Sequence, residues 1–170
     1  TAYEIYQCDW SSDVCSSDLG SFDPITNGHL DIIKRASAHF DEVVVAVFIN
    51  STKQSLFTVE ERIEMIKETT KDLPNIKVDS WSGLTVDYCK KNKIDVITKG
   101  LRAVSDFDYE LQQAQVNLQA GIDTMFMATD PAHSFLSSSL VKELAKYNGD
   151  ISTMVPPSVK VALAKKVAGK

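Results

Sequence analysis

Residues 43 to 49 read Val-Val-Val-Ala-Val-Phe-Ile, an unbroken apolar run in which most side chains are β-branched. A run of this length and composition predicts a strand of a parallel sheet that is buried on both faces. Shortly after it, Thr58 and Glu61 have the spacing of a capping box, in which each side chain binds a free backbone N–H at the start of a helix. The two features together predict a strand followed by a helix.

The same alternation of short apolar runs and amphipathic stretches continues along the chain. Further strands are predicted at 76–80, 94–98 and 124–129, and helices at 30–40, 58–73, 105–119, 140–147 and after Pro156. One more helix is predicted to run through Val86 and Cys89 to about Asn92. This order predicts an α/β fold, a Rossmann-like, doubly wound, parallel five-stranded sheet with helices on both faces. In the helix at 105–119, the expected packing residues are Tyr109 or Phe107, Leu111, Ala114 and Val116.

The bulk composition narrows the class of protein. With 170 residues the chain fits one domain. Its net charge of −5 argues against sequence-independent binding of nucleic acid, which requires a basic surface. Three cysteines, Cys8, Cys15 and Cys89, have neither metal-ligand spacing nor a disulfide pattern, and Cys89 is expected in the core. No apolar run is long enough to span a bilayer. We therefore expect a cytoplasmic protein without a metal site of its own.

The amino-terminal segment conflicts with this fold. A strand should precede the helix at 30–40, but Thr1 to Leu19 carries a Ser-Ser-Asp near-repeat that suits turns rather than a central strand. We therefore divide the chain into an atypical segment, 1–19, and a single domain, 20–170. The segment is predicted to be foreign sequence, not native to the rest of the chain. The alternative is a genuine extension in which Tyr3 to Cys8 is the strand.

Polar residues follow the predicted strands at the points where each strand ends. These are Gly20 to Pro24, Asn50 to Lys53, Lys99 to Arg102 and His133 to Ser139, while Thr26-Asn27-Gly28-His29 opens a helix. Because ligands of such folds bind at the carboxyl ends of the strands, we expect these groups to share one rim. Glycine at a helix start lets an anion approach backbone N–H groups. The collection therefore favours a polyanionic ligand.

Three motifs resemble those of known enzymes. Gly20-Ser21-Phe22-Asp23-Pro24 followed by Thr26-Asn27-Gly28-His29 resembles the signature of the nucleotidyltransferase superfamily that shares its histidine motif with class I aminoacyl-tRNA synthetases. Lys99 to Arg102 with Asp106 to Glu110, and Ser134 to Glu143, resemble the phosphopantetheine adenylyltransferases in particular. The similarity runs from Gly20 to about Lys166, with the motifs in the family's order.

The resemblance implies transfer of the adenylyl group of ATP to 4′-phosphopantetheine, giving dephospho-coenzyme A and pyrophosphate. It implies His29 as transition-state stabiliser, with Ser21 and Lys53 also catalytic. The implied ATP-binding residues are Gly20, Ser21, His29, Gly100, Leu101, Arg102, Glu110, His133, Ser134, Phe135, Leu136, Ser137, Ser138 and Ser139. The implied acceptor-binding residues are Ser21, Lys53, Thr85 and Lys99. Lys99 stands where many family members have arginine. Its ammonium group supplies the positive charge for the acceptor phosphate but not the two parallel N–H donors of a guanidinium.

The resemblance also implies Mg²⁺ carried with ATP, a homohexamer and feedback by coenzyme A, with no nucleic-acid or membrane partner. Simpler interpretations stay open for single residues: Lys53 as a solvated loop lysine, Glu110 as an exposed helix residue, and one serine of Ser137 to Ser139 as a helix cap. Two alternatives stay open for the whole chain. One is a nucleotidyltransferase for another small acceptor, such as nicotinate mononucleotide or glycerol phosphate. The other is a nucleotide-binding protein that is inactive for lack of a proper first strand.

Overall fold

The computed structural model describes residues 14–49 and 54–169, and side chains within 21–49, 54–103 and 107–169. Lys53 and the alternative strand Tyr3 to Cys8 lie outside the described residues. The described part alternates strands with helices, in this order: β1 Val14–Gly20, α1 Asn27–Ser37, β2 Glu42–Phe48, α2 Val59–Thr70, β3 Ile76–Trp81, α3 Thr85–Asn92, β4 Ile94–Leu101, α4 Val104–Gln119, β5 Asp123–Ala128, α5 Ser138–Lys146 and α6 Pro157–Ala168. A short 3₁₀ turn, Pro131–His133, precedes α5.

The five strands form one parallel sheet in the order β3-β2-β1-β4-β5. The chain therefore winds outward in one direction from β1 to β3 and in the other direction from β4 to β5. The predicted doubly wound, five-stranded parallel fold is confirmed. In such sheets the point of reversal, here between β1 and β4, opens a crevice at the carboxyl ends of the strands.

The central strand is the main correction to the sequence analysis. Val14–Gly20 was expected to form turns, but it is β1, and the backbone of Ser16 pairs with Val44 on one side and Ile97 on the other. Strand propensity mostly measures how side chains pack, whereas any non-proline backbone can join a ladder. Flanking strands on both sides therefore override the Ser-Ser-Asp composition. Whether residues 1–19 are native is a separate question that this strand does not test.

Helices cover both faces of the sheet and enclose two apolar clusters. On one face, α1, α2, α5 and α6 pack against β2 through residues such as Ile33, Ile66 and Leu163. On the other face, α3 contributes Tyr88 and Cys89 to a second cluster. β2 supplies both clusters because all of Val43 to Val47 is buried, as the apolar run predicted. Burial raises the pKa of the Cys89 thiol to about 11, in keeping with its predicted core role.

Two other local predictions are confirmed. Thr58 Oγ1 accepts from the Glu61 N–H at 3.2 Å, and the Glu61 carboxylate accepts from the Thr58 N–H at 2.7 Å, which completes the capping box. After α5, Asn148 takes a left-handed backbone conformation with φ of 58° and ends the helix as expected. None of the helices described has the length and hydropathy that crossing a membrane requires.

The predicted core face of α4 is wrong. Tyr109 is 63% exposed and Val116 62%, while Asn117 is buried. The helix packs mainly against β4 and β5 at the edge of the sheet, and most of its described side chains face outward. The 3.6-residue pattern identified a helix correctly, but it could not tell which apolar side chains a single copy of the chain would cover.

β4 is longer than the sequence analysis predicted. It ends at Leu101 instead of residue 98, because Lys99, Gly100 and Leu101 pair with Phe126, Met127 and Ala128 of β5. Three predicted site residues are therefore fixed in a strand, and Arg102 is the first residue beyond it.

Candidate active site

A cleft of about 460 Å³ lies at the carboxyl edge of the sheet, where the winding reverses. Its walls come from the β1–α1 connection, the first turns of α1, the end of β4, α4, and the segment that leads into α5. The lining residues are Ser21, Thr26, Gly28, His29, Ile32, Gly100, Arg102, Tyr109, Glu110, Thr129, His133, Leu136, Ser137, Ser138 and Ser139. Most of the residues predicted to bind ATP are thus brought together.

The β1–α1 loop is held rigidly. Phe22 is buried and has a positive φ of 43°. This conformation costs a non-glycine residue about 1–3 kcal/mol and persists only where the surrounding structure imposes it. Next to it, buried Asp23 accepts hydrogen bonds from the N–H groups of Leu56 and Phe57, both at 2.9 Å, and from Lys142 Nζ at 2.7 Å. Burial alone would raise the pKa of Asp23, but the bonds from Lys142, Leu56 and Phe57 outweigh it and lower the pKa.

Thr26 fixes the imidazole of His29. The Thr26 N–H donates to His29 Nδ1 at 3.1 Å, and the Thr26 hydroxyl lies 3.0 Å from the same nitrogen. Because a backbone N–H can only donate, Nδ1 must be the unprotonated acceptor, and the proton of the neutral ring is on Nε2. The ring also packs edge-on against Phe22, with centroids 5.1 Å apart. His29 therefore presents an N–H donor in one orientation.

The first turn of α1 offers a backbone donor beside this histidine. The Asn27 N–H is already bound to the Met154 carbonyl at 2.8 Å, and the His29 N–H to Thr26 Oγ1 at 3.4 Å. Among the residues described, no acceptor is bound to the N–H of Gly28, which lines the cleft. Free amides at a helix start attract anions. The absence of a side chain at Gly28 also lets His133 pack beside the helix start, since a Cβ there would lie 3.6 Å from His133 Cβ. The arrangement suits a phosphate group.

Gly100 permits α1 to lie close to β4. A Cβ at position 100 would lie 3.0 Å from Ile32 Cγ1, so the Ile32 side chain would have to shift by a few tenths of an ångström. Beyond the strand, Arg102 donates through Nη1 to the Leu136 carbonyl at 2.7 Å. The end of β4 is thus tied both to α1 and to the segment before α5.

The three serines before and within α5 differ in role. Ser137 caps the helix, because its Oγ accepts from the Leu140 N–H at 3.1 Å, so the prediction that one serine is a cap is confirmed. Ser138 Oγ donates to the Pro24 carbonyl at 2.7 Å and thereby joins α5 to the β1–α1 loop. Ser139 is exposed at the cleft.

Lys99 and Glu110 form an ion pair, with Nζ 2.9 Å from Oε2. Both are mostly buried, with side chains 16% and 23% exposed. The sequence analysis assigned Lys99 to the acceptor and Glu110 to ATP, without expecting the two to touch. The pair means that each charge is already partly neutralised before any ligand binds.

Several predicted site residues lie outside the walls of this cleft. Thr85 begins α3, which covers the face of the sheet opposite to α1. Phe135 is 57% exposed, and the Ser134 hydroxyl donates to the Pro131 carbonyl at 3.0 Å. Leu101 accepts from the Thr129 N–H at 2.9 Å. For Gly20 the structure describes only the backbone at the end of β1, and Lys53 is beyond the described residues.

Five lining residues were not assigned as site residues from the sequence: Thr26, Gly28, Ile32, Tyr109 and Thr129. Thr26 carried a usable signal, since threonine three residues before His29 has cap spacing. Tyr109 was expected in the core because aromatic residues usually pack. No metal-binding group of three or more His, Cys, Asp or Glu side chains occurs within the described part of the chain.

Comparisons with known proteins identify the family and the fold. A family model described as cytidylyltransferase-like matches residues 19–144. A solved structure from Vibrio parahaemolyticus, assigned as a nicotinate-nucleotide adenylyltransferase, has a TM-score of 0.62, covering 90% of this chain and 99% of its own. At 18% identity, that likeness concerns the fold alone.

Three curated relatives, each named phosphopantetheine adenylyltransferase, are far more similar in sequence. The protein of Streptomyces coelicolor is 57% identical over 152 residues, covering 89% of this chain and 96% of the relative. That of Frankia casuarinae is 60% identical over 154 residues, covering 88% and 95%, and that of Thermobifida fusca 54% over 150, covering 88% and 92%. The predicted family and enzyme class are confirmed: the chain belongs to the phosphopantetheine adenylyltransferases, within the cytidylyltransferase-like nucleotidyltransferases.

Proposed function

We propose that the chain transfers the adenylyl group of ATP to 4′-phosphopantetheine. A phosphate oxygen of the acceptor forms a bond to the α-phosphorus, the bond from that phosphorus to the β-phosphate oxygen breaks, and dephospho-coenzyme A and pyrophosphate are released. A phosphate monoester is already an anion at neutral pH, so no general base is required. The protein has to hold two repelling anions in line and stabilise the charge of the crowded α-phosphorus.

The observation that carries this proposal is the start of α1. His29, whose ring is oriented by Thr26, and Gly28 both line the crevice between β1 and β4. Donors fixed before the reaction need no reorganisation when charge develops, which is why they stabilise a transition state more than mobile donors do. We assign His29 and the Gly28 N–H to the α-phosphate, with Ser21 beside them.

The wall formed by the segment before α5 supports a nucleotide. His133 packs beside Gly28, and its Nδ1 is buried with no hydrogen-bond partner among the described residues. A ligand atom at this place would complete the site. Tyr109, Leu136 and the start of α5 border the same space. We assign ATP to this wall and the acceptor phosphate to Lys99 and Lys53, with Thr85 along the pantetheine arm.

Mg²⁺ would enter on the phosphates of ATP. The described residues contain no cluster that could cage a divalent cation, and Mg²⁺ in phosphoryl chemistry commonly keeps waters and substrate oxygens as ligands. Its part is to neutralise phosphate charge, while the side chains described above orient the reacting groups.

We further propose a homohexamer in which α4 contacts other copies of the chain. Phe107, Leu111 and Leu118 form an apolar stripe on this helix and are 37%, 36% and 61% exposed. The side chain of Leu118 is large, apolar and mostly exposed to water. Burying such a side chain at a contact between copies would stabilise the assembly by about 1.5–3 kcal/mol. The cytoplasmic location and feedback by coenzyme A stay predictions.

The deciding experiment measures pyrophosphate release by the purified chain with ATP and Mg²⁺. We expect turnover with 4′-phosphopantetheine and less than about one hundredth of that rate with nicotinate mononucleotide or glycerol phosphate, since those acceptors lack the pantetheine arm. Faster turnover with either alternative would assign a different acceptor. ATP binding without pyrophosphate release would favour a nucleotide-binding protein.

The division into a non-native segment, 1–19, and a single domain, 20–170, also remains a proposal. The family model begins at residue 19, in support of a boundary there. Resequencing the source gene is the direct test, and an unbroken native reading frame through residues 1–19 would contradict the foreign origin.

A further inference from the structure

Arg62 is a buried cation that the mechanism above does not use. It lies in the first turn of α2 and is only 4% exposed. Its Nε donates to the Thr58 carbonyl at 3.2 Å, and its Nη1 donates to the Ser21 carbonyl at 2.8 Å. Within the described part of the chain it forms no ion pair with a carboxylate. A guanidinium stays protonated even when buried, so the charge is present in the folded protein.

This environment is unusual, since buried charges are normally paired. A carboxylate does lie in the same loop, two residues beyond Ser21, but Asp23 is saturated by Lys142 and two backbone N–H groups. Among the described residues, the hydrogen bonds of the Arg62 guanidinium therefore go to two carbonyl oxygens and not to a carboxylate. The charge of Arg62 lies directly behind Ser21, a residue that lines the cleft.

Arg62 and Asp23 together clamp the loop on both sides of Phe22. Arg62 fixes the carbonyl before Phe22, and the bonds to Asp23 fix the residue after it. The positive φ of Phe22 is a conformation that the chain would relax if either side were released. Because a peptide group is planar, fixing the Ser21 carbonyl also fixes the peptide plane that follows Ser21.

We propose that Arg62 is a positioning residue for adenylyl transfer. By binding the Ser21 carbonyl, Arg62 holds Ser21 at the α-phosphate, and its guanidinium places a buried positive charge behind Ser21. This inference rests on the proposed function. A displacement of about 1 Å in a reacting group can cost about 10²-fold in rate, so the bond from Arg62 affects catalysis without touching substrate.

The test compares Arg62→Met, Arg62→Lys and Ser21→Ala, alone and combined, with Lys67→Met as the control. Lys67 is an exposed lysine of the same helix, paired with Glu64 at the surface. For each purified variant, kcat and KM for both substrates are measured by pyrophosphate release, and kcat is divided by the folded fraction from thermal unfolding.

We expect Arg62→Met to lower kcat per folded molecule by about 10²-fold, with each KM changed less than about threefold. Arg62→Lys keeps the charge but cannot donate to both carbonyls as the guanidinium does, so it should lower kcat per folded molecule about tenfold. Lys67→Met should leave kcat unchanged. In the Ser21→Ala background, Arg62→Met should cost less than about threefold, because residues acting through one another are not additive.

Two results would overturn the inference while leaving the proposed function intact. One is an Arg62→Met protein whose kcat per folded molecule equals that of the wild type. The other is a pair of effects that multiply fully in the double variant, because Arg62 would then act independently of Ser21. If Arg62→Met does not fold, the same cycle with Arg62→Lys decides. A wild-type chain that releases no pyrophosphate would instead overturn the proposed function.

Discussion

Helices α1 and α4 both border the cleft at the carboxyl edge of the sheet, but they are held in different ways. α1 begins with a side-chain cap from Thr26 and buries Ile32, Ile33 and Ala36. α4 has no side-chain cap at Ala103, and from residue 107 onward Asn117 is the one side chain of the helix that is buried. The α1 side of the site is therefore preorganised within one chain, whereas we expect the α4 side to depend on ligands and on other copies of the chain.

The largest effect should come from the preorganised side. We expect His29→Ala to lower kcat by about 10²–10³ with little change in ATP affinity, because a donor aimed at developing charge acts mainly in the transition state. Steady-state kinetics and calorimetry would measure the two quantities. His39→Ala, which removes an exposed histidine just after α1, is the matched control. A His29→Ala enzyme with near wild-type kcat would remove this residue from the mechanism.

Asp23→Asn should reduce the free energy of unfolding by about 2–3 kcal/mol at pH 7, because charged hydrogen bonds from Lys142, Leu56 and Phe57 are weakened. For a domain of this size the melting temperature should fall by about 5–10 °C. Asp72→Asn, at an exposed position, should change it little.

The loss of folding stability caused by Asp23→Asn should also depend on pH. The folded-state pKa of Asp23 lies below its ordinary value of 3.8, so its stabilising contribution is complete above that value and disappears as the pH falls through the lower, folded-state pKa. The difference in stability between wild type and Asp23→Asn should therefore be constant near neutrality and shrink in strong acid. A difference that grows on acidification would contradict the assignment.

Lys99→Ala should raise KM for 4′-phosphopantetheine about tenfold and change ATP affinity less than about threefold. The lysine supplies one charge to the acceptor phosphate, and Glu110 already neutralises part of it. Lys90→Ala, an exposed lysine on α3, is the control. A Lys99→Ala enzyme that no longer binds ATP would reverse the assignment of the two substrates, and would place the ion pair on the ATP side of the cleft.

The smallest effect on a single chain should come from α4. Leu118→Glu should change the stability of the isolated chain by less than about 0.5 kcal/mol, since this side chain is exposed. It should nonetheless dissociate the assembly, which light scattering would detect as a fall in mass. Val161→Glu, at an exposed apolar position of α6, should leave the mass unchanged. An intact Leu118→Glu assembly would show that α4 is not the contact surface.

The sequence by itself determined features that depend on neighbours within a few residues. The apolar run at 43–47, the capping box of Thr58 and Glu61, and the order of strands and helices all followed from local patterns, and so did the fold. Motif spacing brought His29, Arg102 and the serines Ser137 to Ser139 to one rim, because parallel strands end at the same edge.

Only the tertiary structure decided features that join distant parts of the chain. Flanking strands made Val14–Gly20 a central strand against its propensity, and the edge position of α4 left apolar side chains exposed. The bond from Arg62 to Ser21 spans 41 residues, and the pair of Lys99 with Glu110 joins a strand to a helix. Such contacts depend on how elements pack against one another, and packing is set by the whole chain rather than by any single segment.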